Sequence, residues 1–384
     1  MFGALLLAHT MNHLYLNLMP VLFPEIMDEL TLSYQEIGIL ATSFTFAMGF
    51  GQFFVGFLSE RFSRKTVLVV GLAMSAFMIM LTGLASRFET LVLWQLLGGL
   101  GASTYHPAGI AAISDIFSKN RRGRMMGIHD TAGNLGTIAA PVAAVSAMAI
   151  FGWRYTLMVF ALPGLLTATL IFFATKPERL ETKASVGDFA KPIRREVLLL
   201  VSDPRFLALI VINSVISFRF RGLMAFLPSY LARGLEIEMS AVGLYLSIMF
   251  VGFLLGPYTF GYFRDKSGGR LALLVLILVP SIILVSLANQ RSGLWILVTE
   301  LVLLGFFVYS SGPVITAVAA DLQDDRSTDV MFGVLLAIGF SVSATASIIA
   351  GFVIDNWGFG AGFYLLSLVP VVATPLVMFL PSRC

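Results

Sequence analysis

An all-α membrane fold, with twelve transmembrane helices in two pseudo-symmetric six-helix bundles and both termini cytoplasmic, is predicted by three observations. Apolar residues make up 58% of the 384-residue chain and charged residues only 12%, whereas soluble domains run near 45–50% and about 25%. Crossing a hydrocarbon core of about 30 Å takes about 20 apolar residues as helix, and about twelve such stretches follow one another along the chain. The two halves also repeat. At an offset of 205, Gly38, Gly51, Gly56 and Glu60 meet Gly243, Gly256, Gly261 and Asp265; after a one-residue slip, Gly99, Pro107, Asp115, Met125, Gly127, Gly133 and Gly152 meet Gly305, Pro313, Asp321, Met331, Gly333, Gly339 and Gly358. Chance does not place so many glycines in register.

The first span is expected over 3–27. It carries His9, Asn12, His13 and Asn17, unlike the short, purely apolar core of a signal peptide, and is read as a mature helix. Spans at 36–58, 66–86, 90–116, 124–149 and 155–174 complete a first bundle, 1–174. Thr175 to Asp203 is the one long polar stretch and reads as a cytoplasmic linker, 175–204. Its end, Phe189 to Val201, follows basic residues with an apolar run, the pattern of a short helix on the inner leaflet. Spans at 205–232, 240–262, 271–289, 294–319, 330–354 and 361–381 form the second bundle, 205–384. The lone cysteine, Cys384, excludes a disulfide framework.

A formal charge of +3 invites a nucleic-acid reading, but the basic residues sort by side of the membrane. With the N-terminus inside, 19 of the 25 Lys and Arg fall on inner loops and ends, and 4 (Arg87, Arg154, Arg233 and Arg291) on outer ones. Arg219 and Arg221 lie within a span. Such a bias fixes both termini in the cytoplasm and points to the cytoplasmic (inner) membrane, with lipid and no nucleic acid as the surroundings and a monomer as the expected state.

Ionisable groups inside a span cost several kcal/mol at the bilayer centre and are functional candidates by default. In the first helix His9, His13 and Asn17 are spaced i, i+4, i+8 and share one face. Two readings of His13 stand: it lines a polar cavity, or it bonds a neighbouring helix. His106 precedes Pro107, whose missing N–H frees a carbonyl one turn back, and imidazole, with an ordinary pKa near 6.5, suits a proton carrier. Asp130, Asn134 and Thr137 form an i, i+4, i+7 stripe; desolvation of Asp130 suits it to load and release a proton, and solvation near the cytoplasmic end is the other reading. Arg219 and Arg221 sit about 200° apart around a helix, so both cannot face one cavity. Arg219, the more central, is the candidate anion ligand, its forked charge matching a carboxylate or phosphonate, or else a partner of Glu300; Arg221 is expected to snorkel outward. Ungapped alignment sets His13 opposite Arg219, and Tyr309 and Ser310 are candidates to complete the site. Neither a metal nor any cofactor is expected: H-E-x-x-H, cysteine clusters, G-x-S-x-G and the P-loop are all missing, which argues against an enzyme.

The loops Gly56-Phe57-Leu58-Ser59-Glu60-Arg61-Phe62-Ser63-Arg64-Lys65 and Gly261-Tyr262-Phe263-Arg264-Asp265-Lys266-Ser267-Gly268-Gly269-Arg270 resemble the cytoplasmic loop signature of the major facilitator superfamily, departing from it at Glu60 and Ser63. The resemblance implies that Glu60, Arg61, Asp265 and Lys266 latch the cytoplasmic side in one state, with Asp115 and Asp321 as partners, while Arg64, Lys65 and Arg270 fit simple loop charge better. Within that superfamily His9 to Pro24, Gly101 to Pro107 and Phe226-Leu227-Pro228-Ser229-Tyr230-Leu231 are similar to the fosmidomycin-resistance group of exporters. Gly136-x-x-x-Ala140-Pro141-x-x-Ala144 resembles a weakened antiporter motif, and Gln95 stands where drug antiporters carry an arginine. The expectation is a proton-coupled secondary transporter working by alternating access, exporting a small anionic or amphiphilic compound; import of an organic anion with protons is the alternative, and a receptor without flux a remote one.

Overall fold

A computed structural model describes residues 1–174, 198–289, 293–322 and 328–381, with the side chains of residues 53, 56–61, 119 and 328–330 outside the description. Every regular element among the described residues is helical, as it must be where hydrocarbon offers the backbone no hydrogen bonds. The order is α1 Phe2–Leu30, α2 Tyr34–Arg61, α3 Arg64–Leu84, α4 Phe88–Ser103, α5 Tyr105–Ile116, α6 Lys119–Ala174, α7 Pro204–Ser229, α8 Met239–Ser267, α9 Gly269–Ala288, α10 Leu294–Asp321 and α11 Thr328–Val372. A π-turn, Tyr230–Gly234, extends α7, and a 3₁₀ segment, Thr374–Phe379, follows α11. Seven described helical stretches are long and apolar enough to cross a membrane. The expected linker up to residue 197, including most of its amphipathic end, lies outside the described residues.

Local chemistry sets the ends. Ser63 accepts a hydrogen bond from the Thr66 amide to cap α3, and Asp203 accepts one from the Arg205 amide ahead of Pro204, which opens α7. The span expected at 90–116 is two helices meeting at Thr104, whose hydroxyl donates to the Gly101 carbonyl. The spans expected at 124–149 and 155–174 are separated only by Gly152 (φ 72°), and those at 330–354 and 361–381 only by Gly358 (φ 78°). These paired glycines sit where a side chain is strained, so a single residue breaks each helix without a polar loop.

The chain divides into two compact units. Unit 1 comprises Met1–Lys183 together with Leu231–Ser247; unit 2 comprises Ala184–Tyr230 and Ile248–Cys384. In unit 1, α1 and α3 pack on α6 and α2 on α4; in unit 2, α7 packs on α11. The repeated glycines do equivalent work within each unit: a Cβ on Gly99 would strike the Phe44 carbonyl, and one on Gly305 the Met249 carbonyl. Close backbone approach through small residues is what membrane helices use in place of a hydrophobic drive. Unit 2 buries Phe206, Leu209, Leu273, Leu276 and Val314 in its core. Large apolar side chains such as Phe173, Ile282, Trp295 and Val372 are exposed, a pattern suited to acyl chains rather than water.

Candidate functional site

α1 is tied to α6 by polar side chains. His9 is buried against α6, with Nδ1 2.8 Å from the His129 carbonyl oxygen, and a Cβ on Gly133 would come within 2.7 Å of its ring. One turn along, Thr10 donates to the Ala132 carbonyl at 2.9 Å, and Gly136 leaves room for the Thr10 carbonyl. Asn12 donates to the Ala102 carbonyl at 3.0 Å. His13 Nδ1 lies 3.0 Å from Thr137 Oγ1, and Asn17 bonds the His13 carbonyl at 2.8 Å and reaches Thr137 at 3.5 Å. The face predicted from i, i+4, i+8 spacing is therefore turned to the first part of α6, and Thr137 of the predicted stripe receives it. Because a carbonyl only accepts, His9 carries its proton on Nδ1. Its Nε2 is buried without a hydrogen-bond partner.

All four histidines of the chain meet in unit 1. The His9 ring stacks on His129 with centroids 3.8 Å apart and makes edge contacts with His13 at 4.6 Å and His106 at 5.3 Å; His13 and His106 are 5.7 Å apart. The break at Thr104 starts a new helix in α5, with Tyr105 and His106 in its first turn. Tyr105 stacks on His9 and donates its hydroxyl proton to the Leu5 carbonyl.

Tyr105 is not singled out by the sequence, and His129 counts there only as one of four histidines in first-half spans, with the coupling role given to Asp130 beside it. Adjacent helix residues point about 100° apart: Asp130 is exposed while His129 is buried, yet His129 Nδ1 lies 3.3 Å from Asp130 Oδ1. His129 Nε2 is 2.9 Å from the Tyr105 oxygen. Tyr105 has spent its proton on Leu5, so Nε2 of His129 must donate, and any further proton is held between His129 Nδ1 and Asp130. The confinement of every histidine to the first half was the only signal in the sequence that His129 belonged with the others.

Unit 2 answers His9 with Asn213. Its amide donates to the Leu335 carbonyl at 3.1 Å, and a Cβ on Gly339 would strike it. Leu335 and Gly339 are the repeat mates of His129 and Gly133, so α1 and α7 are related by an offset of 204 here. This corrects the ungapped alignment: His13 stands opposite Ser217, Tyr15 opposite Arg219 and Asn17 opposite Arg221. Tyr15 accordingly is buried and donates to the Phe160 carbonyl. Arg219 is wholly buried, giving its guanidinium N–H groups to the carbonyls of Leu276 (2.6 Å) and Ile277 (2.9 Å) and to Ser281 Oγ (3.3 Å). These are helix-packing contacts with α9. Arg221, expected to snorkel, is instead half-buried between the rings of Phe220 (5.6 Å) and Phe340 (5.5 Å). Tyr309 packs edge-on against Phe220, Phe250 and Phe253. Ser310 is buried and bonds the Phe306 carbonyl, and Glu300 accepts from Ser286 at 2.5 Å.

The repeated acids at the helix ends each take an arginine: Asp115 pairs with Arg64, and Asp321 with Arg264, which also bridges Asp265 at 3.0 Å. Arg64 and Arg264 come from different positions of the two loops, and Arg64, expected as simple loop charge, is paired. Lys266 sits over the Tyr262 ring at 4.5 Å, and Arg270 donates to the Leu380 and Met378 carbonyls. The side chains of Glu60 and Arg61 lie outside the described residues. At the other end of α1, Asp28 pairs with Arg233 at 2.7 Å. Partial burial opposes ionisation of the neighbouring Glu29, but bonds from Arg154 and Trp153 outweigh it and hold the carboxyl below the usual carboxylate range.

A family model described as Major Facilitator Superfamily matches residues 5–235 and 209–383. The chain is 25% identical over 386 residues to the hexuronate transporter of Bacillus subtilis (strain 168), covering 94% of this chain and 89% of that protein. It is 22% identical over 388 residues to the fosmidomycin resistance protein of Escherichia coli (strain K12), covering 99% and 92%. Among solved structures, a bacterial homolog of the human lysosomal transporter Spinster, in an inward-facing and unoccupied conformation, superposes with a TM-score of 0.84 at 16% identity, covering 98% of this chain and 95% of that one; that likeness bears on the fold.

Proposed function

The chain belongs to the Major Facilitator Superfamily, a family of multi-pass membrane transporters and not of enzymes, and from that premise we propose that it is a proton-coupled exporter of a small organic anion, working by alternating access. The division of chemistry between the units carries this reading: unit 1 holds a carboxylate 3.3 Å from a buried imidazole, and unit 2 holds a half-buried guanidinium among aromatic rings. Twelve spans with both termini in the cytoplasm of an inner membrane, two bundles either side of the 175–204 linker, and a monomer complete the proposal. Rocking of two such repeats about a central site is how this architecture alternates access.

Arg221 takes the role expected of Arg219, whose terminal guanidinium nitrogens are engaged by α9. A forked cation beside Phe220 and Phe340 suits a carboxylate or phosphonate, with the rings covering the apolar part of the substrate. Tyr309 stands beside Phe220 to supply a hydroxyl. Asp130 is the proton carrier: its carboxylate takes a proton on one side of the membrane to become neutral and gives that proton up on the other, with His129 3.3 Å away as its neighbour. The pairs Arg64–Asp115 and Arg264–Asp321, with Asp265 and the loop residues Glu60, Arg61 and Lys266, form the latch that opens and closes the cytoplasmic side.

The hexuronate named for one relative is a carboxylate and supports the anion class; import of such an anion with protons is the second reading. Imposed proton gradients separate the two. In right-side-out vesicles loaded with radiolabelled hexuronate, an inward proton gradient is expected to drive efflux through the wild-type chain and none above background through Asp130→Asn. Accumulation of label supplied outside empty vesicles under the same gradient assigns import instead, and gradient-insensitive flux removes proton coupling.

A further inference from the structure

We propose that His9, His13 and His106 form a binding site for a borderline divalent cation of the Zn²⁺ type, a site that goes beyond the transport reading and does not depend on it. One ring nitrogen of each of the three lies within 4.8 Å of the other two. A tetrahedral zinc with Zn–N bonds of about 2.0–2.1 Å sets its ligand nitrogens about 3.3 Å apart, so closing the site asks each pair of rings to approach by at most about 1.5 Å, within the reach of side-chain rotation.

Protonation favours the same conclusion. Metal-bound histidines give their second ring N–H to a carbonyl or other acceptor, which fixes the tautomer and leaves the remaining lone pair for the ion. His9 does so through Nδ1 to the His129 carbonyl at 2.8 Å, and His13 through Nδ1 to Thr137 Oγ1 at 3.0 Å. Thr137 passes its own proton to the Gly133 carbonyl and so accepts from His13. The Nε2 of His9 is left as a lone pair and is buried with no hydrogen-bond partner, an arrangement that costs free energy unless something fills it. His9, His129 and Asp130 also lie close enough to hold an ion, but both nitrogens of His129 are committed, to Tyr105 and Asp130. His13 and His106 are half-buried, which gives the ion a way in and leaves its fourth position for water or an anion. Three imidazoles suit zinc, copper, nickel or cobalt and not magnesium or calcium.

The test uses the full chain, purified without a histidine tag, with Co²⁺ and Zn²⁺ as probes. One Co²⁺ per chain is expected, displaced by Zn²⁺ and indifferent to Mg²⁺, and X-ray absorption of the zinc form of the wild type is expected to count three imidazoles. Outer-shell changes cost metal affinity about 10–100-fold, which is the loss expected for Thr137→Val; ligand removal by His13→Gln or His106→Gln is expected to cost at least about 100-fold. No stoichiometric binding, fewer than three imidazoles at the wild-type ion, or unchanged affinity in folded His13→Gln and His106→Gln each overturns the site. The wild-type spectrum decides alone where a variant does not fold.

Discussion

His9 and Asn213 occupy the same slot in the two repeats. Each lies over a glycine, Gly133 or Gly339, and each bonds the carbonyl four residues before it, of His129 or Leu335. An amide satisfies that slot with one N–H and has nothing further to offer as a base. An imidazole satisfies it equally and keeps a second nitrogen. The packing demand is common to both units, and the chemistry is added in one. Neighbouring positions diverge likewise: beyond Asn213 come Arg219, spent on packing, and Arg221 among rings, whereas beyond His9 come His13 and a cluster of histidines.

The harshest way to break the comparison is to fill the slots. Gly133→Val and Gly339→Val push a side chain into the His9 ring and the Asn213 amide, and each is expected to cost about 1–3 kcal/mol, with more where the ring cannot move. Thermal unfolding should fall comparably in both, while only Gly133→Val weakens Co²⁺ binding. Next in size, Arg221→Met is expected to remove stabilisation of the protein by a hexuronate, with at least about a tenfold weaker apparent affinity, about 1.4 kcal/mol, and Arg219→Met to leave that affinity alone; equal losses would merge the two arginines again. His9→Asn writes the unit 2 residue into unit 1. It keeps the bond to the His129 carbonyl and should hold stability within about 1 kcal/mol, yet lose the ion, and a large stability loss would mean the slots are not equivalent. Smallest is the pair of acids. Asp115→Asn should move stability by less than about 1 kcal/mol, as exposed ion pairs do, and Asp321→Asn by more, since Asp321 and Arg264 are 22% and 13% exposed against 54% and 36% for Asp115 and Arg64.

The helical class and the face of α1 were legible in composition and spacing, because a period of 3.6 and a bilayer's thickness leave few choices. The glycine repeat was legible too, since a residue with no side chain cannot be exchanged where backbones touch. Register between α1 and α7 was not. It depends on where two helices begin relative to the rest of each bundle, and an ungapped alignment that fitted Gly133 to Gly339 misplaced His13 by two residues. The expected roles of Arg219 and Arg221 rested on depth along the span, and depth cannot say which side of a helix meets a neighbour. His129 was hidden by Asp130 beside it, because the stripe was drawn through the charged residue and the buried one lay 100° away.

Leu231–Ser247 clusters with unit 1 although it is encoded after all of α7. Arg233 bonds the Pro24 carbonyl and pairs with Asp28, and Ser247 donates to the carbonyl of Ile138. A polypeptide that stops in the polar stretch after Ala174 therefore lacks part of its own first unit. The halves of the sequence and the compact units of the structure therefore do not coincide. Fragments divided at the linker are expected to need one another to mature.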